Sequence, residues 1–170
     1  MKQQGNFNDI LISPVSREEI AISFLIAILF IGIFVAIVNL ILISFFVEIH
    51  LFNLWRFIFY LSLSSLLFGS IGAIVGFVSY TWDVQQSIFN LVISPISLLS
   101  GTFFSIDVVQ QEWQNIFLSN PFYYLVSNLR KSFESDQSYD YFIDVILIIF
   151  VFIMIYITLY IFKKGYRVIN

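Results

Sequence analysis

The sequence has 170 residues, of which 59% are hydrophobic, 19% aromatic and only 11% charged. Soluble domains carry about 25% charged residues, so this composition is typical of a chain that folds in lipid. With no cysteine and a single histidine, the sequence predicts no disulfide, no metal site and no cofactor. A net charge of −3 gives no reason to expect a nucleic-acid partner.

The N-terminal residues 1–19 are polar and contain no apolar core of the kind found in a signal peptide. The first apolar run, residues 20–47, is uncharged over 28 residues. As a helix it would reach about 42 Å, longer than the roughly 30 Å hydrocarbon core of a bilayer. We therefore expect a tilted transmembrane helix here.

Three more uncharged runs follow, and Trp55 and Trp82 flank the second of them as interfacial tryptophans do. We therefore predict an all-α membrane protein with one transmembrane domain over residues 1–170. It would comprise four transmembrane helices, a cytoplasmic elbow helix at 8–19, and two short external interfacial or re-entrant helices within 107–134. The four predicted spans are 20–47, 57–81, 84–106 and 145–162.

The distribution of lysine and arginine predicts the orientation. Four spans place both termini on one side of the membrane. The two terminal segments carry five basic residues, and the opposite side carries three. Because basic residues accumulate in cytoplasmic segments, we expect a multi-pass membrane protein with both termini in the cytoplasm and residues 105–140 outside.

The external segment has helical spacing of its apolar residues. Asn120 followed by Pro121 is a typical helix start, with a capping side chain and then proline at the first helical position. Trp113 belongs to the preceding apolar stripe. We expect two short amphipathic helices that lie on the outer interface or dip into it.

Small residues recur along one face of the second span, where residues 72–76 form a GxxxG motif. Small side chains let helix backbones approach closely in lipid. The pattern predicts a packing face, and it leaves open whether the partner helix belongs to the same chain or to another. The residues expected on this face are Ser65, Gly69, Gly72 and Gly76.

Two polar motifs each allow two interpretations. Ser16 to Glu19 fits a capping box, which either begins the first span or ends a cytoplasmic elbow at 8–19. Pro95 removes an amide hydrogen from the third span, and Gly101 permits a bend. The segment 95–106 is therefore either an ordinary kinked helix or a hinge where the span gives way to a cap over the exit.

The cores of the four predicted spans contain no Asp, Glu, Lys, Arg or His. Ion-coupled transport needs ionisable groups at membrane depth, and a nucleophile in the membrane needs a base or metal. The chain also lacks the GxxxxGK[ST] loop that binds ATP phosphates. The chain is therefore predicted not to be an enzyme and to have no catalytic residue. A passive channel would need a polar pore-lining stripe, which the spans do not show.

Several short motifs occur in a characteristic order along the chain. The sequence GNFNDILISPVSREEI occupies 5–20, SPISLLSGTFFSID occupies 94–107, EWQNIF occupies 112–117 and NPFYYLVSNLR occupies 120–130. Each motif alone is weak, but the ordered set resembles the C-terminal two-thirds of the type-2 ABC exporter permeases. It is similar to the subgroup that includes nodulation and polysaccharide or lipid exporters.

The resemblance implies the permease subunit of an ATP-driven exporter for an amphipathic lipid-type, polysaccharide-type or drug-like substrate. Its implied partners are a cytoplasmic ATP-binding subunit, a second permease subunit in a homodimer or heterodimer, and the bilayer. The family has six spans, so the resemblance also implies that the first two are missing from this chain. The alternative is a non-transporting scaffold, an accessory subunit or an inactive truncated permease.

The same resemblance assigns roles to two groups of residues. The elbow would dock on the ATP-binding subunit, and residues 105–134 would form re-entrant helices that cap the substrate path. The residues expected to couple to the ATPase are Ser13, Pro14, Val15, Ser16, Arg17, Glu18 and Glu19. Those expected at the hinge and in the cap are Pro95, Ser97, Ser100, Gly101, Phe104, Trp113, Asn120, Pro121 and Arg130.

Overall fold

The computed structural model of the protein describes residues 15–103, 106–135 and 140–164, and every regular element in these residues is helical. This confirms the all-helical part of the predicted fold. The α-helices are α1 (Arg17–Ser44), α2 (Leu54–Val78), α3 (Trp82–Ile88), α4 (Ser94–Leu98), α5 (Gln111–Leu118), α6 (Pro121–Arg130) and α7 (Tyr141–Lys164). A π-helical turn at Phe89–Ile93 joins α3 to α4, and 3₁₀ turns occupy Ile106–Val108 and Lys131–Phe133.

Helices α1, α2 and α7 are long and apolar enough to cross a membrane. They correspond to the predicted spans 20–47, 57–81 and 145–162, but each begins three or four residues earlier. At the first two starts the cap explains this shift, since the Ser16 and Asn53 side chains accept hydrogen bonds from the amides of Glu19 and Arg56. The uncharged run in the sequence indicates which residues suit the hydrocarbon core of a bilayer. The helix is longer than this run because it begins at its capping residue.

Helices α1 and α2 are antiparallel and meet at a seam formed by Ile28, Gly32, Ser65 and Gly69. A Cβ built on Gly32 would lie 2.2 Å from the Ser65 Oγ, and one built on Gly69 would lie 2.2 Å from the Ile28 Cγ2. These distances leave no room for a side chain at either glycine. Half of the predicted small-residue face therefore packs within the chain, at the α1–α2 seam.

The other half of that face is open in the described part of the chain. A Cβ built on Gly72 or on Gly76 would have no heavy atom within 4 Å. The predicted partner for these two glycines is therefore not one of the described helices.

Helices α2 and α7 pack side by side and run in the same direction. The Tyr60 hydroxyl donates to the Asp144 carboxylate near their first turns. Farther along, the Thr158 hydroxyl lies 3.4 Å from the Ser70 carbonyl oxygen, and the Phe77 and Phe162 rings meet with centroids 3.9 Å apart. Because two parallel helices need a return connection, residues 79–140 must lead the chain from the Val78 end of the bundle back to its Tyr141 end.

The first part of this return is a helical run of 17 residues, Trp82 to Leu98, made of α3, the π-helical turn and α4. At about 1.5 Å per residue it covers about 25 Å, less than the roughly 30 Å hydrocarbon core. The helix predicted to run from 84 to 106 thus ends at Leu98. Pro95, inside α4, and Gly101, three residues after its end, are the physical reason, because the first has no amide hydrogen and the second has a positive φ.

The second part is a hairpin formed by α5 and α6 (residues 111–130), which we call the outer hairpin after its predicted position outside the membrane. At the start of α6, the Phe122 ring stacks on Phe68 with centroids 4.7 Å apart. Just beyond its end, Phe133 packs edge-on against Phe57 at 5.5 Å. Since Phe68 follows Leu54 by 14 residues, the start of α6 lies about 21 Å along α2. Helix α6 therefore packs alongside the first half of α2.

One apolar core holds these elements together. It joins α2, α6 and α7 through side chains that are at most 9% exposed. This core therefore fixes the outer hairpin to α2 and α7, the two parallel helices that residues 79–140 connect. The core residues are Tyr60, Leu63, Leu67, Phe122, Leu125, Leu147 and Val151.

Candidate functional site

The helix break, residues 95–102, begins at Pro95. Proline has no amide hydrogen, so the carbonyl of Leu91, four residues earlier, loses its usual donor. Directly before the proline the helix widens into the π-helical turn, and the Ser94 amide donates to the Phe89 carbonyl five residues back. The predicted disturbance of the third span is therefore present as a change in hydrogen-bond register.

The break ends in a tight polar turn. The Ser100 amide donates to the Ser97 carbonyl at 3.1 Å, and the Ser100 hydroxyl lies 2.7 Å from that of Thr102. Gly101 has φ of 76°, which is the left-handed region that costs other L-residues energy. The backbone conformation therefore strongly favours glycine at this turn, three residues after the helical run ends at Leu98.

Asn120 connects the outer hairpin to the start of the break. Its side chain is 8% exposed. The amide nitrogen Nδ2 donates to the Ile96 carbonyl at 2.7 Å, and Oδ1 accepts from the Phe122 amide at 3.0 Å. The same side chain thus caps α6, as the Asn120–Pro121 pair predicted, and satisfies one of the carbonyls left open at the end of α4.

Arg130 connects the hairpin to the other end of the break. Its Nη2 donates to the Gly101 carbonyl at 2.8 Å. Asn120 and Arg130 lie at opposite ends of α6, so this one helix holds the break at two carbonyls. In an apolar environment, a carbonyl without a partner would cost free energy.

A cavity of about 280 Å³ adjoins the second contact. Its wall combines the glycine turn with one side of α6 and the 3₁₀ turn after it. The polar residues that line the cavity are Ser100, Tyr123, Ser127, Arg130, Lys131 and Glu134.

The predicted hinge and cap residues separate into three groups. Asn120, Pro121 and Arg130 come together with the break that contains Pro95, Ser97, Ser100 and Gly101. Trp113 lies on α5 and is 56% exposed. Phe104 lies outside the described residues.

The predicted coupling residues that the structure describes, Val15 to Glu19, lie at the opposite end of the bundle. Val15 to Glu19 are exposed, while Ser13 and Pro14 lie outside the described residues. The capping box is confirmed, since the Ser16 amide donates to the Glu19 carboxylate at 2.8 Å and the Glu19 amide donates to the Ser16 hydroxyl at 3.3 Å. Glu18 forms a salt bridge of 2.7 Å with Lys163, so the start of α1 and the end of α7 share one end of the bundle.

A buried polar layer near the outer hairpin was not predicted. Arg56 is 3% exposed, and its Nη2 lies 3.4 Å from the Asn128 Oδ1. The Ser132 carbonyl accepts from the amides of both Phe52 and Asn53 at 3.1 Å. Only one signal in the sequence pointed here: Asn128 follows Phe122 and Leu125 at intervals of three, on the apolar face of α6.

Comparison with known protein families identifies the family of this chain. The ABC-2 type transporter family matches residues 1–133. The chain belongs to this family, and three of its described helices are long and apolar enough to cross a membrane.

Among individual proteins, the chain is similar to the inner membrane transport permease YadH of Escherichia coli strain K12 and to its counterpart in Shigella flexneri. It is 29% identical to each over 133 residues, which cover 78% of this chain and 52% of each relative. The chain therefore spans about half the length of the curated relatives it matches. No solved structure gives a significant match.

Proposed function

We propose that the chain is the membrane permease subunit of an ATP-driven ABC exporter of the inner membrane, moving an amphipathic lipid-type, polysaccharide-type or drug-like compound. It works with a cytoplasmic ATP-binding subunit and a second permease subunit. The observation that carries this proposal is the helix break held by the outer hairpin at the Ile96 and Gly101 carbonyls. A helix break that is held by only a few hydrogen bonds can change its conformation, and this one lies next to the outer hairpin.

The proposed mechanism connects the two ends of the bundle. The exposed residues 15–19 belong to the elbow that docks on the ATP-binding subunit. Movement of the elbow shifts α1, and the seam at Gly32 and Gly69 passes the movement to α2 because its close contacts leave no slack. Helix α2 carries the outer hairpin through Phe68 and Phe57, so the hairpin moves relative to the break.

The proposed orientation places the elbow and the end of α7 in the cytoplasm and the outer hairpin outside. Three observations support it: the basic residues at the termini, the salt bridge between Glu18 and Lys163, and the parallel course of α2 and α7. Single cysteines at Ser135 and Asn170 of this cysteine-free chain test it. Only the cysteine at 135 should react with an impermeant reagent applied to intact cells, and labelling at 170 would overturn the orientation.

Coupling to the ATPase is tested by disrupting the elbow. We expect the double variant Pro14→Leu, Arg17→Glu to abolish co-purification with the ATP-binding subunit while the chain still inserts. Glu112→Arg, an equally exposed charge reversal on α5, is the matched control and should co-purify normally. Unchanged co-purification and unchanged ATPase stimulation by the elbow variant would reduce residues 15–19 to a helix start and favour an accessory subunit or an inactive truncated permease.

A further inference from the structure

We propose that the cavity beside Gly101 binds a phosphate-bearing amphiphile headgroup, and that this headgroup takes Arg130 away from the Gly101 carbonyl. The inference deepens the proposed permease function, on which its meaning for transport rests. The binding itself is independent of transport, and so is its measurement.

The charges around the cavity favour an anion. Its lining holds the cations of Arg130 and Lys131 and the single carboxylate of Glu134. In the described part of the chain, no ion pair within 4 Å joins Glu134 to either cation. A phosphodiester carries one negative charge, which balances the lining.

The donors around the cavity favour a phosphate over a carboxylate. Arg130 has five N–H donors, and the Gly101 carbonyl accepts from one of its nitrogens. The Lys131 ammonium and the hydroxyls of Tyr123 and Ser127 line the same space. Guanidinium groups match phosphate oxygens in geometry, and lysine adds a compact charge. A phosphate has enough oxygens to use several of these donors at once, whereas a carboxylate has two.

The position of the cavity favours a lipid headgroup. Arg130 and Lys131 lie beside Ser132, whose carbonyl is bonded to the amides of Phe52 and Asn53 at the start of α2. This is the end of the bundle where the apolar part of α2 begins, and it is the depth at which lipid phosphates lie next to a transmembrane helix.

Arg130 makes the cavity part of the helix break. The bond from Arg130 to the Gly101 carbonyl already has a charged donor, but a phosphate adds a negative charge on the acceptor and can accept two parallel N–H bonds from the guanidinium at once. A phosphate in the cavity therefore competes successfully with the Gly101 carbonyl for the Arg130 guanidinium. Once Arg130 is released, Asn120 at the Ile96 carbonyl is the one of these two α6 side chains that still holds the break, and the glycine turn is free to rearrange.

Native mass spectrometry of the full chain in maltoside micelles tests the binding. The probes are dioleoyl phosphatidylglycerol, inorganic phosphate as a competitor, and an uncharged galactosyl diacylglycerol. We expect Arg130→Gln to weaken phosphatidylglycerol binding about tenfold or more and Arg130→Lys to restore most of it. Glu134→Gln, which leaves the Gly101 contact intact, should strengthen binding. Lys164→Gln, the same charge loss at the far end of α7, should have no effect.

Displacement of the lipid by inorganic phosphate would mean that the site recognises the phosphate group alone, whereas failure to displace it would mean that the whole headgroup is recognised. Either result supports the proposal. Equal binding of the uncharged glycolipid, or Arg130→Gln and Glu134→Gln variants that bind like Lys164→Gln, would overturn it.

Release of the break is measured separately. Spin labels at Leu98→Cys and Asn115→Cys, both exposed positions, report the distance from α4 to α5. Phosphatidylglycerol should shift this distance in the otherwise unchanged chain and leave it unshifted in Arg130→Gln. A chain that binds the lipid without any shift would contradict the exchange of Arg130 between partners. A chain that binds and shifts but does not transport would instead contradict the proposed permease function.

Discussion

The α1–α2 seam and the helix break bring backbones together in two different ways. At the seam, Gly32 and Gly69 lack the atoms that would keep the helices apart, and the contact consists of van der Waals packing. At the break, the side chains of Asn120 and Arg130 reach across to backbone carbonyls. Close packing at the seam keeps α1 and α2 at one fixed distance, because tightly packed interiors resist deformation. At the break, by contrast, one hydrogen bond can be exchanged for another. The seam is therefore suited to transmit motion and the break to undergo it.

The largest effect is expected at the seam. Gly32→Leu places a side chain where Ser65 already lies and should destabilise the folded chain by about 3 kcal/mol. The free energy of unfolding in mixed micelles measures it. Gly76→Leu on the open face of α2 is the control and should cost far less, since nothing lies within 4 Å of a Cβ there. Equal destabilisation by the two variants would mean that α1 and α2 are not in close contact.

An intermediate effect on stability is expected at Asn120, which holds the start of the break. Asn120→Ala removes the cap of α6 and the donor to the Ile96 carbonyl, for a combined loss of about 2 kcal/mol. Asn120→Ser keeps a capping oxygen but is too short to reach Ile96, so it should recover about half of the loss. The same unfolding measurement applies. If serine restores full stability, the bond to Ile96 contributes nothing.

The smallest effect on stability, but a clear one on transport, is expected at Gly101. Valine there must adopt a positive φ, which costs roughly 1 to 2 kcal/mol. We expect Gly101→Val to insert and assemble but to transport poorly. Gly101→Asn, which tolerates this conformation better, should transport more than the valine variant. Transport by Gly101→Val at the wild-type rate, in a complete transporter complex, would show that the turn does not act as a hinge.

Features that depend on neighbouring residues were predicted well from the sequence. The capping box at Ser16 and the cap at Asn120 both involve atoms two or three residues apart, so the local pattern specifies them. The disturbance at Pro95 is also local, because proline removes its own amide hydrogen. The sequence did not predict that one half of the small-residue face of α2 packs against α1 while the other half stays open in the described part of the chain. Gly69 and Gly72 look alike in the sequence, and only the path of α1 decides which of them is covered.

The sequence by itself determined that this protein is a bundle of apolar helices, where three of those helices lie, and that the third predicted span is interrupted by a proline and a glycine. Only the tertiary structure decided that α2 and α7 run parallel, that α6 packs along α2, and that Asn120 and Arg130 hold the two ends of the break. The reason is the distance along the chain. Asn120 and Ile96 are 24 residues apart, and Arg130 and Gly101 are 29 apart. The side chains of Asn120 and Arg130 can donate hydrogen bonds wherever they lie. Which carbonyl accepts those bonds depends on the packing of the helices, which brings a carbonyl from a distant part of the chain within reach.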